Sequence, residues 1–334
     1  MTEPQPIDPR FAGQPPAPKR RRNWLGRIIG LVVLLFLLVL VGVPLYAWGR
    51  IDKVDAMPSG DRPANTPGTT YLLVGSDSRE GLSAAERKKL GTGNTAGRRT
   101  DTIMLLHVPE SGPTALVSLP RDSYVPIPGH GRNKLNAAFA IGGPKLLVQT
   151  IENVTGLRVD DYVEIGFGGF VSIVDSVGGI EMCLPKAMKD QKAHINLPKG
   201  CQELNGTNAL GYVRARYSDP LGDLGRVQRQ REMIGAVAGK AVSPATFLNP
   251  VRYYRLGTAS ADALTIDNDT GPLDLFRFAR GMKAVSGDGG VTLTVPIANS
   301  SLRTPDGLAL KWDTEKAKAL FRALKEDRTT GLAS

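Results

Sequence analysis

Histidine and cysteine are nearly absent from this sequence, with three His (His107, His130, His194) and two Cys (Cys183, Cys201) in 334 residues. No two histidines stand at metal-ligand spacing, which argues against a zinc site. Also missing are G-x-x-x-x-G-K-[ST], which removes a P-loop, and G-x-S-x-G, which disfavours a serine hydrolase. The run Gly91-Thr-Gly93-Asn-Thr-Ala-Gly97 misses the dinucleotide fingerprint by one residue and does not follow a strand. A uniform basic field is missing too. The formal charge of +10, from 42 Lys+Arg against 32 Asp+Glu, invites a nucleic-acid reading. Yet residues 1–27 carry six basic side chains against two acids, and residues 51–334 hold 35 basic against 30 acidic groups. The bulk of the chain is only mildly basic. At 41% hydrophobic and 22% charged residues, its composition is that of a globular protein.

What is present is one long uncharged run, Ile28–Gly49, centred on Leu31-Val-Val-Leu-Leu-Phe-Leu-Leu-Val-Leu-Val41. About 20 apolar residues span a hydrocarbon core, and Trp24, Tyr46 and Trp48 sit at the ends, where aromatic rings prefer the interface. A cleaved signal peptide has a shorter apolar core and a small-residue cleavage site, and neither is found here. Lys19-Arg-Arg-Arg22 and Arg27 precede the span. The expectation is therefore a single-pass plasma-membrane protein with a cytoplasmic N-terminus and an extracytoplasmic body, a topology that keeps nucleic acid away from it. Residues 1–23 read as a disordered basic tail, 24–49 as the transmembrane anchor, 50–68 as a linker and 69–334 as one exported domain. In an oxidising compartment Cys183 and Cys201 are either a disulfide or two buried thiols.

Tyr71–Val74, Thr102–Val108 and Thr114–Leu119 are apolar runs that read as buried strands, the last two joined by a hairpin-length loop. Ser83-Ala-Ala-Glu86 has the capping-box pattern of a short helix. Pro144–Val154 is helical in period with Gly156 as its C-cap, Tyr162–Ile165 is a strand, and Phe170–Val177 is a helix closed by Gly178-Gly179 before the strand Ile180–Leu184. Strands mixed with helices over this length predict a single three-layer α/β/α domain with a central mixed sheet. No second compositional region follows Leu310.

Chemistry-bearing residues stand at the strand ends. Strand 71–74 exits into Asp77, strand 102–108 starts after Arg99-Thr-Asp101, and strand 114–119 exits into Arg121. If 71–74 runs antiparallel to 102–108 in one sheet, Asp77, Arg99, Asp101 and Arg121 share an edge. Such a group is either a set of salt bridges or a divalent cation held by two carboxylates, with arginines clamping phosphate oxygens. A second group lies on the helix expected from Asp223 onward. At 100° per residue Val227, Ile234 and Val237 form its apolar stripe, and Asp223, Arg226 and Gln230 fall on the same face, while Arg229 and Glu232 point away. A solvated charge run would lie opposite the stripe, so this placement favours a pocket that takes an anion.

Taken in order, Leu72-Leu-Val-Gly-Ser-Asp77-Ser-Arg79, Arg99-Thr-Asp101-Thr, Ser118-Leu-Pro-Arg121-Asp122, Asn133-Lys-Leu-Asn136, Asp175-Ser-Val-Gly-Gly179, Leu204-Asn-Gly-Thr-Asn-Ala-Leu210, Arg214-Ala-Arg216 and Asp223-Leu-Gly-Arg226 with Arg229-Gln230 resemble the LytR-CpsA-Psr family of cell-wall glycopolymer ligases. The likeness covers residues 69–240, and the insertion before Arg99 and the cysteine pair look like those of actinobacterial members. It implies a phosphotransferase that moves a glycopolymer from an undecaprenyl-diphosphate carrier to the muramic acid 6-hydroxyl of peptidoglycan. Asp77 and Asp101 would hold Mg²⁺ or another divalent cation. Arg99, Arg121, Arg214, Arg216, Arg226 and Gln230 would hold the diphosphate, with Arg121 and Arg226 catalytic and Asp223 as the base. The expected partners are a polyprenyl-linked glycan donor, the peptidoglycan acceptor and membrane lipid. The prenyl chain would lie between the sheet and helices 144–154 and 170–177. Two alternatives share these residues: a prenyl-diphosphate pyrophosphatase with water as nucleophile, and a non-catalytic wall-associated regulatory protein.

Overall fold

The computed structural model describes residues 24–77, 100–215, 222–287 and 289–332, without the side chains of 222–224 and 226–228. The segment Ser83–Glu86, expected to open a helix, lies outside the described residues.

Seven strands form the central sheet: β1 (Asp52–Val54), β2 (Thr69–Ser76), β3 (Thr100–Val108), β4 (Thr114–Ser118), β5 (Asp161–Gly166), β6 (Leu264–Asp267) and β7 (Gly290–Thr294). Their spatial order is β1-β6-β5-β2-β3-β4-β7. The neighbours β2 and β3, and β3 and β4, are antiparallel, whereas β2 and β5 are parallel, so the sheet is mixed as the sequence predicts. The central strands are apolar at consecutive positions because both faces are covered. Leu72, Val74, Ile103 and Leu105 point into one core. Tyr71, Leu73, Met104 and Leu106 point into another on the opposite face.

The longer helices are α1 (Trp24–Trp48), α2 (Leu135–Thr155), α3 (Phe167–Ser176), α4 (Gly206–Arg214), α5 (Gly222–Ala241), α6 (Pro250–Ala263), α7 (Pro272–Ala284) and α8 (Thr314–Lys325), with one further turn at Pro244–Phe247. Helices α2 and α8 pack in the first core, through Leu147, Val148 and Ile151 and through Leu320, Phe321 and Leu324. Helix α7 packs on the other face through Met282 and Phe278, giving three layers. Helix α2 begins nine residues before the periodicity predicts. Gly142 and Gly143 (φ +63°) break it, and Pro144 opens the predicted segment, which Gly156 (φ +67°) ends. The stretch read as linker also contributes structure, because Asp52–Val54 pairs in parallel with β6. Three residues amid Pro and Gly are too few for a sequence pattern to reveal.

The most apolar 18-residue stretch of helix α1 has a mean hydropathy of 3.2 and is mostly exposed, as a membrane-spanning helix would be. Pro44 lies within it and has no N–H for the carbonyl of Leu40. The hydroxyl of Tyr253, on α6, donates to that carbonyl at 3.1 Å. A carbonyl left bare in hydrocarbon costs several kcal/mol, so this bond ties the body to the helix.

A third core, containing Val174, Ile180, Met182, Ile195, Tyr212 and Met233, forms a lobe beside the sheet. In it Cys183 and Cys201 face each other on strands 180–184 and 200–204 and are joined in a disulfide. Glu181 lies close to both sulfurs, but their bond to each other leaves no thiolate for a cation.

Asp161 is buried at the start of β5 and accepts a hydrogen bond from Thr270 Oγ1 at 2.8 Å. Burial, with Asp274, Asp160 and Asp267 nearby, pushes its carboxyl from 3.8 up to about 6, the Thr270 bond opposing. The folded state therefore holds an extra proton between about pH 4 and pH 6, and Asp161 costs stability as pH rises through that window. Asp161→Asn retains an acceptor for Thr270. Its advantage over wild type in chemical denaturation should grow from near zero at pH 4 to about 1–2 kcal/mol at pH 7. An advantage that does not change with pH would show that Asp161 is ionised throughout.

Candidate functional site: an apolar cavity with a cationic rim

The site is assembled at the end of β2. Gly75 pairs with Thr102 and Ser76 with Thr100, so Asp101 is the extra residue of a β-bulge. Thr100 Oγ1 donates to the carbonyls of Gly75 and Thr102, at 3.2 and 2.9 Å. A Cβ on Gly75 would stand 2.9 Å from Thr102 Cβ, so the position needs glycine. A bulge re-aims the side chain it carries, and Asp101 lines the cavity. Asp77 follows Ser76 at the same edge.

Arg121 leaves the end of β4 on a turn pinned from several sides. Ser123 N donates to Pro120 O at 3.0 Å and Ser123 Oγ to the same carbonyl at 2.6 Å, while Trp312 Nε1 donates to Ser123 Oγ at 2.8 Å. Asn136 N donates to Arg121 O at 3.0 Å, which gives the Asn133–Asn136 motif a positioning role. From this turn the Arg121 guanidinium forms an ion pair with Asp101 and reaches within 3.5 Å of Asp122, which Lys134 Nζ also approaches at 3.5 Å. The conditional reading of the strands therefore holds, in that Asp77, Asp101 and Arg121 share one edge. Arg99 lies outside the described residues, as does Arg216.

The cavity has a volume of about 570 Å³. It crosses the strand ends from β6 to β4. Over β6, β5 and β2 its wall is apolar, with Leu264, Ile165 and Leu73 from the sheet, Phe167, Phe170 and Ile173 from α3, and Leu275, Phe278 and Met282 from α7. Over β3 and β4 the wall becomes polar, with Asp101, Arg121, Arg214 and Gln230, joined by Asp190 and Lys192. The apolar end is the end nearer α1, because Ser260 of α6 lines it and Asp262, two residues on, pairs with Arg50.

Of the two helices expected to wall a lipid slot, α3 lines this cavity. Helix α2 does not, because its apolar face is spent in the core on the far side of the sheet. Helix α5 supplies Gln230, Ile234 and Val237 to the cavity, the face read as inward. Asp223 and Arg226 precede Gln230 on this helix, and their side chains lie outside those described. Arg229 is a correction. Rather than pointing to solvent it is 7% exposed, with Nη2 donating to Ala215 O at 2.6 Å and Nε to Tyr212 O at 3.3 Å. Helix α4 covers that side of α5, so the helix has two buried faces, and Arg229 fastens the end of α4 that carries Arg214. The Arg214 guanidinium stands 5.0 Å from the centre of the Phe167 ring, which orients it beside the cavity.

Other motif pieces are scaffold. Asp175 Oδ1 accepts from Gly206 N at 2.7 Å and Asn205 caps α4 through Asn208 N. A Cβ on Gly206 would stand 2.4 Å from Val171 O. Sequence reasoning missed Asp190 and Lys192. They sit on the hairpin 188–197, whose turn Asp190 builds by accepting from the N–H groups of Lys192 and Ala193. A buried Asp two residues from a Lys before an apolar strand carries no pattern that separates it from a surface turn.

A largely apolar cavity with Arg121 and Arg214 in its lining, on a mixed α/β sheet, has the chemistry to accept a ligand with an apolar part and an anionic part. The sequence model of the LytR_cpsA_psr family matches residues 48–326, and the chain belongs to that family. It is 47% identical over 305 residues to a probable cell wall biosynthesis protein, LcpB, of Corynebacterium glutamicum, covering 91% of this chain and 72% of that one. It is 34% identical over 252 residues to the polyisoprenyl-teichoic acid–peptidoglycan teichoic acid transferase TagU of Enterococcus faecalis, covering 72% of this chain and 77% of the relative. A solved LytR-Csp2A-Psr enzyme from Actinomyces oris superposes with a TM-score of 0.63 at 25% identity, covering 83% of this chain and 96% of that one.

Proposed function

We propose that this protein transfers a glycopolymer from a polyprenyl-diphosphate carrier to peptidoglycan, forming a phosphodiester at the muramic acid 6-hydroxyl and releasing prenyl phosphate. The observation that carries this is the polarity of the cavity. Its apolar stretch suits an isoprenoid chain and its cationic end a diphosphate, and one ligand has both parts in that order. The name of the Enterococcus faecalis relative supports transfer over hydrolysis and over a purely regulatory role.

In the reaction the acceptor hydroxyl attacks the phosphorus that carries the glycan. The bridging P–O bond breaks, its electrons leave with the prenyl phosphate, and the hydroxyl proton passes to a base, for which Asp223 is the candidate. Such a displacement needs positioning and charge neutralisation more than covalent chemistry. Arg121 and Arg214, held by the Ser123 turn and the Phe167 ring, neutralise the diphosphate from two sides, and Gln230 donates its amide N–H. Arg99, Arg216 and Arg226 complete the set by resemblance. Asp77 and Asp101 offer only oxygen donors at adjacent strand ends, a set that suits a hard divalent cation such as Mg²⁺. When bound, the ion would offset charge on the phosphates, and Arg121 would then move from Asp101 to the substrate. The body would face the outside of the plasma membrane, held by α1.

In a strain without a paralogue, Asp101→Ala or Arg226→Ala should abolish polymer attachment while the protein stays folded and membrane-bound. Intact attachment in both would overturn the reading. Trp312→Phe keeps the ring near Phe321, 5.8 Å away between centroids, and removes the bond to Ser123. The Arg121 turn then loosens, and transfer should fall about 10-fold with about 1 kcal/mol lost in stability. Unchanged transfer at that stability would show that the turn is held without Trp312.

A further inference from the structure

The C-terminal third of α1 does not stand clear of the folded body. Val43 and Ala47 are 7% and 8% exposed, unlike the apolar residues before them. Helix α6 covers them and advances with α1 in the same direction. Tyr253 meets Leu40, Gly257 packs on Val43 so closely that a Cβ would stand 2.6 Å from Val43 Cγ1, and Asp262 pairs with Arg50. Leu40 lies eight residues before Trp48, about 12 Å along the helix axis. The N-terminal half of α6 therefore sits as deep as a part of α1 that carries only apolar side chains, and the Arg50–Asp262 pair marks where charge resumes.

The residues at that depth suit lipid. Phe247, Leu248, Val251 and Tyr254 are 42, 72, 58 and 50% exposed. Tyr253 and Gly257, four apart, share the side of α6 on α1, whereas Val251 and Tyr254, three apart, share another side with Arg255. In water this would be a contiguous apolar patch with no partner, whereas at a lipid surface Arg255 can extend to the headgroups from a buried stem.

We propose that residues 244–255 are inserted in the outer leaflet beside α1, as a second, monotopic membrane contact of this protein. It rests on the reading of α1 as a membrane span. Inserted there, α6 brings Ser260 and Leu264, at the apolar end of the cavity, to the leaflet surface, so that a prenyl chain enters from the bilayer without crossing water.

The test uses the full chain in vesicles of phosphatidylcholine and phosphatidylglycerol, with and without mid-chain bromination. Both native cysteines are in the disulfide, so Leu248→Cys, Val41→Cys and Leu308→Cys each give one free thiol for an NBD label. Val41 is an exposed residue of α1, and Leu308 is exposed on the hairpin 297–312 near Ser123. Bromination should quench the labels at 248 and 41 at least about twofold and leave 308 unaffected. Quenching at 41 but not at 248 overturns the insertion alone, and quenching at neither overturns the span reading itself. A label at 248 that is shielded without quenching, and freed on dilution to one protein per vesicle, places a second copy on the patch and also overturns the proposal.

Discussion

Replacing Arg121 with alanine is expected to lower transfer by about 10²–10³-fold with the fold intact, the usual cost of losing one preorganised charge donor. Arg121 is the described cation with the most rigid support, fixed through Pro120, Ser123, Trp312 and Asn136, and it lines the cavity beside Asp101. A backbone held that firmly confines the reorganisation to a swing of the guanidinium from Asp101 to the substrate. The substitution leaves Asp122 a partner in Lys134, and Asp101, whose side chain is 31% exposed, keeps access to water, so no buried carboxylate is stranded and the thermal midpoint should move little. Arg121→Lys keeps the charge but not the fork that meets two phosphate oxygens, and should fall between wild type and alanine. Initial rates with a lipid-linked donor, with thermal melts of the same samples, check this. Wild-type rates in the alanine variant would remove Arg121 from the chemistry.

The second large effect concerns the cavity. Ala238 faces it from α5, one turn after Ile234. Ala238→Trp places an indole where the isoprenoid should lie, and the open volume admits it without overpacking the cores. Transfer from a full-length prenyl donor should drop about 100-fold, because several kcal/mol of apolar burial are blocked. A short-prenyl analogue, whose tail ends before Ala238, should retain most of its rate. Thermal stability should hold or rise as the void fills. An equal loss with both donors would mean that the substitution disturbs the rim, and no loss with either would mean that the chain lies elsewhere.

The parts of this site legible in the sequence were those written in continuous runs. Strands β2, β3 and β4 are apolar at successive positions and end in charged residues, so their antiparallel order alone brings Asp77, Asp101 and Arg121 to one edge. The inward face of α5 followed from its period through Gln230, Ile234 and Val237. What periodicity cannot carry was missed or misplaced. A helix with one apolar stripe reads as one-sided and puts Arg229 in solvent, whereas the second buried face depends on where α4 returns. Trp312 lies far along the chain from the turn it anchors, and only tertiary contact joins them. Helix α2 looked available to a lipid because its apolar face is real, but that face is consumed under the opposite side of the sheet.

The proposed reaction moves a phosphoglycan from a prenyl diphosphate to a wall sugar. Its most direct test is product analysis after incubating the full chain with a prenyl-diphosphate-linked glycan labelled on both the lipid and the glycan, together with peptidoglycan and Mg²⁺. Glycan label should appear on muropeptides through a phosphodiester while lipid label appears as prenyl monophosphate, both dependent on peptidoglycan. Lipid monophosphate with free phosphoglycan, formed equally well without peptidoglycan, would contradict it and identify a pyrophosphatase.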